Sequence, residues 1–495
     1  MEQEKQQDYK YTAIAQPLEL TTRKLSLEDG QVEINITKID IVSETRLFLY
    51  IAACTANLAA FTCGITIGWS SPVIPKLQNA TLTPLTEVVG PSEVGWIGSL
   101  LPLGATLGPF IAGVAADKIG RKRTLLLGNI PFIVGFLLNI VAKNVNYLLF
   151  SRLICGISVG ITFTVLPMYV GEIAEDEVRG ALGTYLQLFC VIGLLFSFVV
   201  GPYISVTLFN AACLLVPSTF LITFFFFIPE SPYFLLQIQE DDEAEAALMK
   251  LRDRAIAMDV KTELDSMKRD IETAAANKGS FKEIFKSKGL TKAYILSNGL
   301  LFFQQMSGIN VVLFFAQNIF QDAGVSLAPE ICTIIIGVVQ VAFSGVTAVI
   351  VDKYGKRLLL MISAIGMTIS QGVLAYFFHL KDTDVDVTAL AWLPIVCVIT
   401  YIISYCLGFG PIPWAIMGEM FPSHVKTVAV TVTSATCWFL AFLLTNYFGI
   451  LVLQIGKAGS FGLFGTFCFL SLVFVYKFLP ETSGKSLQEI QDMLN

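Results

Sequence analysis

Apolar residues come in long blocks separated by short polar loops and by two charged stretches, residues 1–46 and 230–290. A helix needs roughly 20 residues to cross a hydrocarbon core about 30 Å thick. Twelve segments meet that length: 47–68, 93–115, 124–142, 147–169, 182–203 and 207–228, then 293–316, 331–351, 358–378, 389–412, 429–450 and 459–479. They fall six and six about the charged middle. The pattern predicts an all-α, polytopic membrane protein with two six-helix bundles, 47–228 and 291–479. Between them, 229–290 carries apolar residues at helical spacing among charges, which predicts short amphipathic helices outside the membrane. This segment reads equally as a latch between the halves or as a solubilised linker. Residues 1–46 lack periodicity and aromatic clusters and are expected to be a disordered tail; 480–495 form a second tail.

Composition narrows the class. Of 495 residues 54% are hydrophobic and 15% charged, with mean hydropathy +0.68. A soluble domain carries about 25% charged residues. Residues 1–46 hold 15 of the 72 charges and 240–288 hold 22, which leaves the remaining surface too poor in charge for water. Net charge −6 and pI near 5.2 give no basic face for nucleic acid. Only His379 and His424 are histidines, so neither a metal site nor a cofactor is expected, and no constellation supports an enzyme. The ten cysteines sit in apolar runs with no C-x-x-C pair and read as small buried side chains. No cleavable signal peptide is expected, because no short basic stretch precedes an apolar one.

Lysine and arginine in the loops orient the chain. The even-numbered loops carry nine (Lys118, Arg121, Lys122, Arg123, Arg179, Lys353, Lys356, Arg357, Lys426) and the odd-numbered loops four (Lys76, Lys143, Lys381, Lys457). The positive-inside rule puts the even loops, both termini and the middle segment in the cytoplasm. The sequon at Asn79 then lies outside and is a glycosylation candidate, whereas that at Asn35 lies in the cytoplasmic tail. Neither tail shows a sorting signal, so the plasma membrane is the expected location.

Three short patterns recur in order. Asp117-Lys-Ile-Gly-Arg-Lys-Arg returns as Asp352-Lys-Tyr-Gly-Lys-Arg357. Gly171-Glu172 before Val178-Arg179 returns as Gly418-Glu419 before Val425-Lys426, and Pro229-Glu230-Ser returns as Pro480-Glu481-Thr. Repeats in register imply two pseudo-symmetric halves with a substrate site between them near the midplane. Lys and Arg at a cytoplasmic edge need only be anchors, but Asp117, Asp352, Glu172, Glu230 and Glu419 beside Arg121, Arg123, Arg179 and Arg357 are not needed for that. Ion pairs formed when the cytoplasmic ends close would bias a rocking equilibrium; static packing is the alternative.

Uncharged amides inside apolar spans supply the candidate site. Gln304, Gln305 and Asn310 lie within seven residues of the seventh span, with 310 expected to return beneath the glutamines on one helix; Gln187 is isolated in the fifth. Sugar hydroxyls both donate and accept, as amides do; the alternative is bonding to neighbouring helices. Gly410-Pro-Ile-Pro-Trp414 breaks the tenth span at membrane depth, where irregular backbone is tolerated only against protein or a water-filled cavity. Trp414 can stack on a sugar ring. Trp438 is a second candidate, with packing as its alternative.

These residues, with Arg152, Pro167-Met-Tyr-Val-Gly-Glu172, Gln304-Gln-Met-Ser-Gly-Ile-Asn310 and Pro480-Glu-Thr-Ser-Gly484, resemble the sugar porters of the major facilitator superfamily over about residues 47–490. Trp69-Ser-Ser-Pro-Val-Ile-Pro with Gly95-Trp-Ile-Gly-Ser-Leu-Leu-Pro looks most like insect facilitated trehalose transporters and related glucose facilitators. The resemblance implies a sugar carrier working by alternating access, with Gln187, Gln304, Gln305, Asn310, Gln340, Trp414 and Trp438 on the sugar. It also marks departures. Hexose facilitators usually carry Glu at Cys406, Asn at Cys437 and Gln340, and Tyr at Phe314 and Phe315. Proton-driven members carry a carboxylate in Gly-Tyr-Asp where this chain has Gly68-Trp69-Ser70. An intramembrane carboxylate is the usual proton relay, so passive transport of trehalose or a hexose is expected, with a proton-coupled sugar or polyol symporter and a non-transporting sugar receptor as alternatives. The expected partners are the sugar and the bilayer, and the functional unit is expected to be a monomer.

Overall fold

The computed structural model describes residues 46–495 apart from 253–256, 277–280, 384, 484, 486 and 495. The expected tail and the Asn35 sequon lie outside the described residues. Among those described there is no strand, and nearly every apolar block is a helix. Helices suit lipid because each satisfies its own backbone groups.

The first half contains α1 (Leu47–Gly68), α2 (Ser70–Leu77), α3 (Pro91–Ile119), α4 (Arg121–Ile140), α5 (Val145–Ile173), α6 (Asp176–Gly183), α7 (Tyr185–Val200) and α8 (Val206–Phe227). Three short helices follow: α9 (Pro232–Gln237), α10 (Asp241–Arg252) and α11 (Ala257–Ala276). The second half contains α12 (Lys288–Met306), α13 (Ile309–Ala323), α14 (Pro329–Tyr354), α15 (Lys356–Asp382), α16 (Leu393–Leu407), α17 (Ile412–Met420) and α18 (Ser423–Phe478), and α19 (Leu487–Leu494) closes the chain. Among the described residues eleven continuous helical segments are long and apolar enough to cross a membrane. The last runs 54 residues and turns back at Gly456, whose φ of +71° breaks it into two crossings.

Backbone contact, not side-chain size, knits the first half. Gly104 of α3 and Gly156 of α5 face each other so closely that a Cβ on Gly104 would stand 2.1 Å from the Leu153 carbonyl oxygen. A Cβ on Gly156 would stand equally close to that of Leu101. Small residues at such seams let helices associate by van der Waals contact where no hydrophobic effect operates between them. The halves meet where α3 packs along α18, α7 along α14 and α2 along α13.

The short helices form their own small core of Leu235, Leu236, Leu248, Val260, Leu264 and Met267. α10 places Asp241, Asp242 and Glu243 in its first turn and Lys250 and Arg252 in its last, matching the helix dipole. Arg252 is buried and ties this unit to the first half, bonding Glu263 at 2.7 Å and the Ile173 carbonyl at 2.8 Å. Arg46, just before α1, is paired with Glu175 at 2.7 Å and Glu177 at 2.5 Å; the hydrogen bond to Glu177 and the charge of Glu175 raise its pKa above the ordinary value.

Candidate functional site

A cleft between the halves encloses about 640 Å³ of empty space, counted out to its open mouth. From the first half it is lined by Ile67, Phe163, Gln187, Cys190, Val191 and Leu194. The second half contributes Gln304, Gln305, Ile309, Asn310, Leu313, Gln340, Tyr405, Gly410, Trp414 and Trp438. All seven residues singled out for a sugar therefore face one space. Ile67, Phe163, Cys190 and Tyr405 had not been singled out. Tyr405, beside Ser404 and one turn after Tyr401 in the tenth span, carried a weak signal; the other three carry none in sequence.

Two broken helices build the polar wall. The expectation of one continuous helix through Gln304, Gln305 and Asn310 is corrected: α12 ends at Met306 and α13 starts at Ile309, with Gly308 at φ +84° between them. A Cβ there would meet the Phe464 ring at 2.6 Å. The Tyr401 hydroxyl donates to the Ser307 carbonyl at 3.1 Å, and Gln371 Nε2 donates to the same oxygen at 3.1 Å. α13 carries a second irregularity at Phe315, with φ −116° and ψ 18°. The break expected at Gly410-Pro411 is present between α16 and α17.

The amides divide by task. Gln304 Nε2 donates to the carbonyls of Phe409 at 2.5 Å and Gly410 at 3.0 Å, oxygens that the break leaves without helical donors. Asn310 Nδ2 donates to Gln305 Oε1 at 2.6 Å, and Gln305 Nε2 lies 3.1 Å from Cys437 Sγ. Gln340 keeps a buried Oε1 without a partner. Gln187 has no hydrogen-bond partner among the described residues. A buried amide group left unpaired is costly unless a ligand or water completes it. Cys406 packs against α14, 4.0 Å from the Gln340 carbonyl oxygen.

The aromatic wall joins the halves. Phe163 of α5 stands edge-on to Trp438, centroids 5.7 Å apart, and tilted to Trp414 at 6.3 Å. Three turns earlier on α5, Arg152 is buried with its guanidinium on the carbonyls of Thr66 at 2.6 Å and Ile97 at 3.0 Å, 5.4 Å from the Trp69 ring.

The charged repeats form matching clusters, one per half. Arg121 bonds Glu172 at 2.9 Å, and Ser231 donates to the same carboxylate. Glu230 accepts from the Lys122 backbone N–H at 2.8 Å at the start of α4. In the second half Lys356, not Arg357, pairs with Glu419, and Glu481 accepts from the backbone N–H groups of Lys356 and Arg357 at 3.1 and 3.0 Å. Gly120 and Gly355, at φ +96° and +80°, turn the chain beneath each carboxylate. Arg357 reaches the Tyr476 carbonyl and Arg179 those of Gly171 and Ala174; Asp117 and Arg123 are exposed. The Asp352 side chain lies outside the described residues. Among the described residues each pair stays within its own half. Glu230 and Glu481 close the N-termini of α4 and α15, while Glu172 and Glu419 pair with side chains of their own half.

Among the described residues the hydrogen bonds between the halves are neutral and lie toward the ends carrying the odd-numbered loops. Ser71 Oγ accepts from the Gln317 backbone N–H at 3.2 Å, Gln78 Oε1 from Asn318 at 3.2 Å, and Ser99 bonds Asn446 at 3.1 Å. Trp96 packs on Phe442 beside them.

Two pseudo-symmetric helical halves around a central uncharged cleft define a multi-pass membrane protein of the major facilitator fold. The solved proton:xylose symporter XylE bound to 6-bromo-6-deoxy-D-glucose aligns with TM-score 0.74, covering 90% of this chain and 99% of that one at 22% identity. XylE from E. coli in a partially occluded inward open conformation aligns equally well over 89% and 100%; likeness at this identity concerns the fold. The family described as "Sugar (and other) transporter" matches residues 52–494. The facilitated trehalose transporter Tret1 of Culex quinquefasciatus is 36% identical, covering 94% of this chain and 89% of that protein. Those of Drosophila mojavensis and Drosophila virilis are 36% and 37% identical over 94% of this chain. The chain spans about half the length of these Drosophila relatives, 53% and 50%. The chain belongs to the sugar transporter family.

Proposed function

We propose that the protein is a facilitative carrier that moves trehalose or a hexose such as glucose in both directions across the plasma membrane by alternating access. The observation that carries this reading is the chemistry of the cleft. Its polar lining is made of amides and a tyrosine, its flat lining of tryptophans, and among the described residues it holds no carboxylate. Such a surface offers hydrogen bonds to hydroxyls and faces to C–H groups, but no group to carry a proton. The relatives' name, facilitated trehalose transporter, points the same way. Both termini are assigned to the cytoplasm by the positive loops. One chain lines the whole cleft, so the transporting unit is a monomer, with no catalytic chemistry and no cofactor. In this orientation Asn79 is external and exposed, its Oδ1 accepting from Thr81, and it is a glycosylation site.

The test is uptake of labelled trehalose and labelled glucose into proteoliposomes at acidic and neutral external pH, with and without a protonophore. Equilibration insensitive to both supports the carrier. Accumulation above the outside level that collapses with the protonophore would establish a proton-coupled symporter instead. Binding without uptake would establish a receptor.

A further inference from the structure

The two walls of the cleft are chemically unequal. Apart from Gln187, the first half contributes only apolar side chains, while most of the hydrogen-bonding groups come from the second. Hydrogen bonds alone do not set the size of what enters. Size is set where the apolar wall stops the substrate.

Phe163 stands on that apolar wall. It is half-buried, lines the cleft, and reaches from the first half to both tryptophans of the second, on the α17 side of the Gly410 break. Its mount is rigid. Gly160, one turn earlier on α5, approaches α3 so closely that a Cβ would stand 2.4 Å from the Ala105 carbonyl oxygen. The ring cannot retreat by moving its helix, because that seam has no slack. Trp414 opposite it is mounted on the short helix α17, whose start is the irregular turn held by Gln304. The fixed wall is therefore Phe163, and the adjustable one is Trp414.

We propose that Phe163 is a specificity-determining residue: its ring closes the α17 side of the cleft against Trp414 and Trp438, and side-chain volume at this position sets the ratio of disaccharide to monosaccharide transport. This rests on the sugar-carrier reading above and adds the residue that measures the sugar. Polar contacts to one hexose unit are left in place by a change at 163; space for a second unit is not.

The experiment compares wild type with Phe163→Leu, Phe163→Ala and Phe163→Trp, each reconstituted, with glucose and trehalose uptake measured on the same vesicles. Taking the ratio of the two kcat/KM values on one preparation cancels any loss of folded protein. The trehalose-to-glucose ratio is expected to rise from Phe to Leu to Ala, by roughly tenfold overall, and to fall with Trp, since each methylene-scale change in an apolar pocket is worth that order. A ratio flat across the series, whatever happens to the absolute rates, overturns the inference and leaves Phe163 as packing between the halves. Wild type that moves neither sugar overturns the carrier reading and this inference with it; wild type that moves either sugar with a flat series overturns this one alone.

Discussion

The Gln304 side chain, one turn before the break in the seventh crossing, donates to the carbonyl of Gly410 at 3.0 Å inside the break in the tenth. The same amide nitrogen serves Phe409. Tyr401, just before the tenth-crossing break, reaches back to Ser307 in the seventh. Each interruption is therefore held by the helix that carries the other, so the two discontinuities beneath the cleft form one mechanical unit.

From this follows a contrast between two glutamines. Gln304→Leu leaves two buried carbonyls without a donor and is expected to cost about 1–3 kcal/mol of stability, seen as a lower melting temperature in detergent. Gln187→Leu, which breaks no bond to the protein among the described residues, should leave the melting temperature unchanged and raise the KM for sugar. Equal destabilisation by both, or an unchanged KM for Gln187→Leu, would contradict this division.

The matching ion pairs should not be equal in strength. Arg121 and Glu172 are 5% and 17% exposed, whereas Lys356 is 11% exposed but its partner Glu419 is 41% exposed. Removing one member of a buried pair costs about 3–5 kcal/mol because a charge is stranded. Removing Lys356 leaves Glu419 in contact with water, so the loss falls toward the roughly 0.2–1 kcal/mol of a solvent-screened pair. Arg121→Ala is expected to lower thermal stability far more than Lys356→Ala, with Arg123→Ala near wild type. A melting series in detergent decides it; equal losses would show that exposure does not govern these pairs.

Gly308 sits at φ +84° against the Phe464 ring. Gly308→Ala is expected to lose about 1–2 kcal/mol from the left-handed backbone alone, and more from the clash. Adding Phe464→Leu should recover the steric part only. Full recovery in the double variant, measured by melting temperature, would mean the backbone conformation carries no cost.

The neutral seam makes a kinetic prediction. Ser99→Ala combined with Asn446→Ala removes one hydrogen bond between the halves, worth about 1 kcal/mol, and is expected to favour opening on that side about fivefold. Hydrogen exchange at residues 95–102 should accelerate by that order. Protection unchanged from wild type would remove the seam from the gating contacts.

Gln187, Gln304, Gln305, Asn310 and the break at Pro411 stand out in the sequence because an amide or a Gly-Pro pair violates the apolar pattern of a span; Trp414 and Trp438 stand out only as flat rings, and Gln340 only through the resemblance. The break at Ser307–Gly308 was not legible, since a single glycine in a helix is commonplace and only the Phe464 ring and the bonds from Tyr401 and Gln371 make it a turn. Likewise Glu172 was legible as a charge in need of a partner, but its choice of Arg121 was not, because several cations lie within reach in sequence. The turn at Gly456 escaped for the same reason as Gly308.

The chain by itself determined the number of crossings, the internal repeat and the uncharged character of the residues that line the cleft. Each follows from transfer energies that act residue by residue, whatever the neighbours. Tertiary structure alone decided that Gln304 serves the backbone while Gln187 stays free, that the repeated carboxylates brace their own halves, and that Phe163 meets two tryptophans of the other half. Those outcomes depend on which helices lie side by side, and contacts between residues far apart in the chain have no periodicity for a sequence to display.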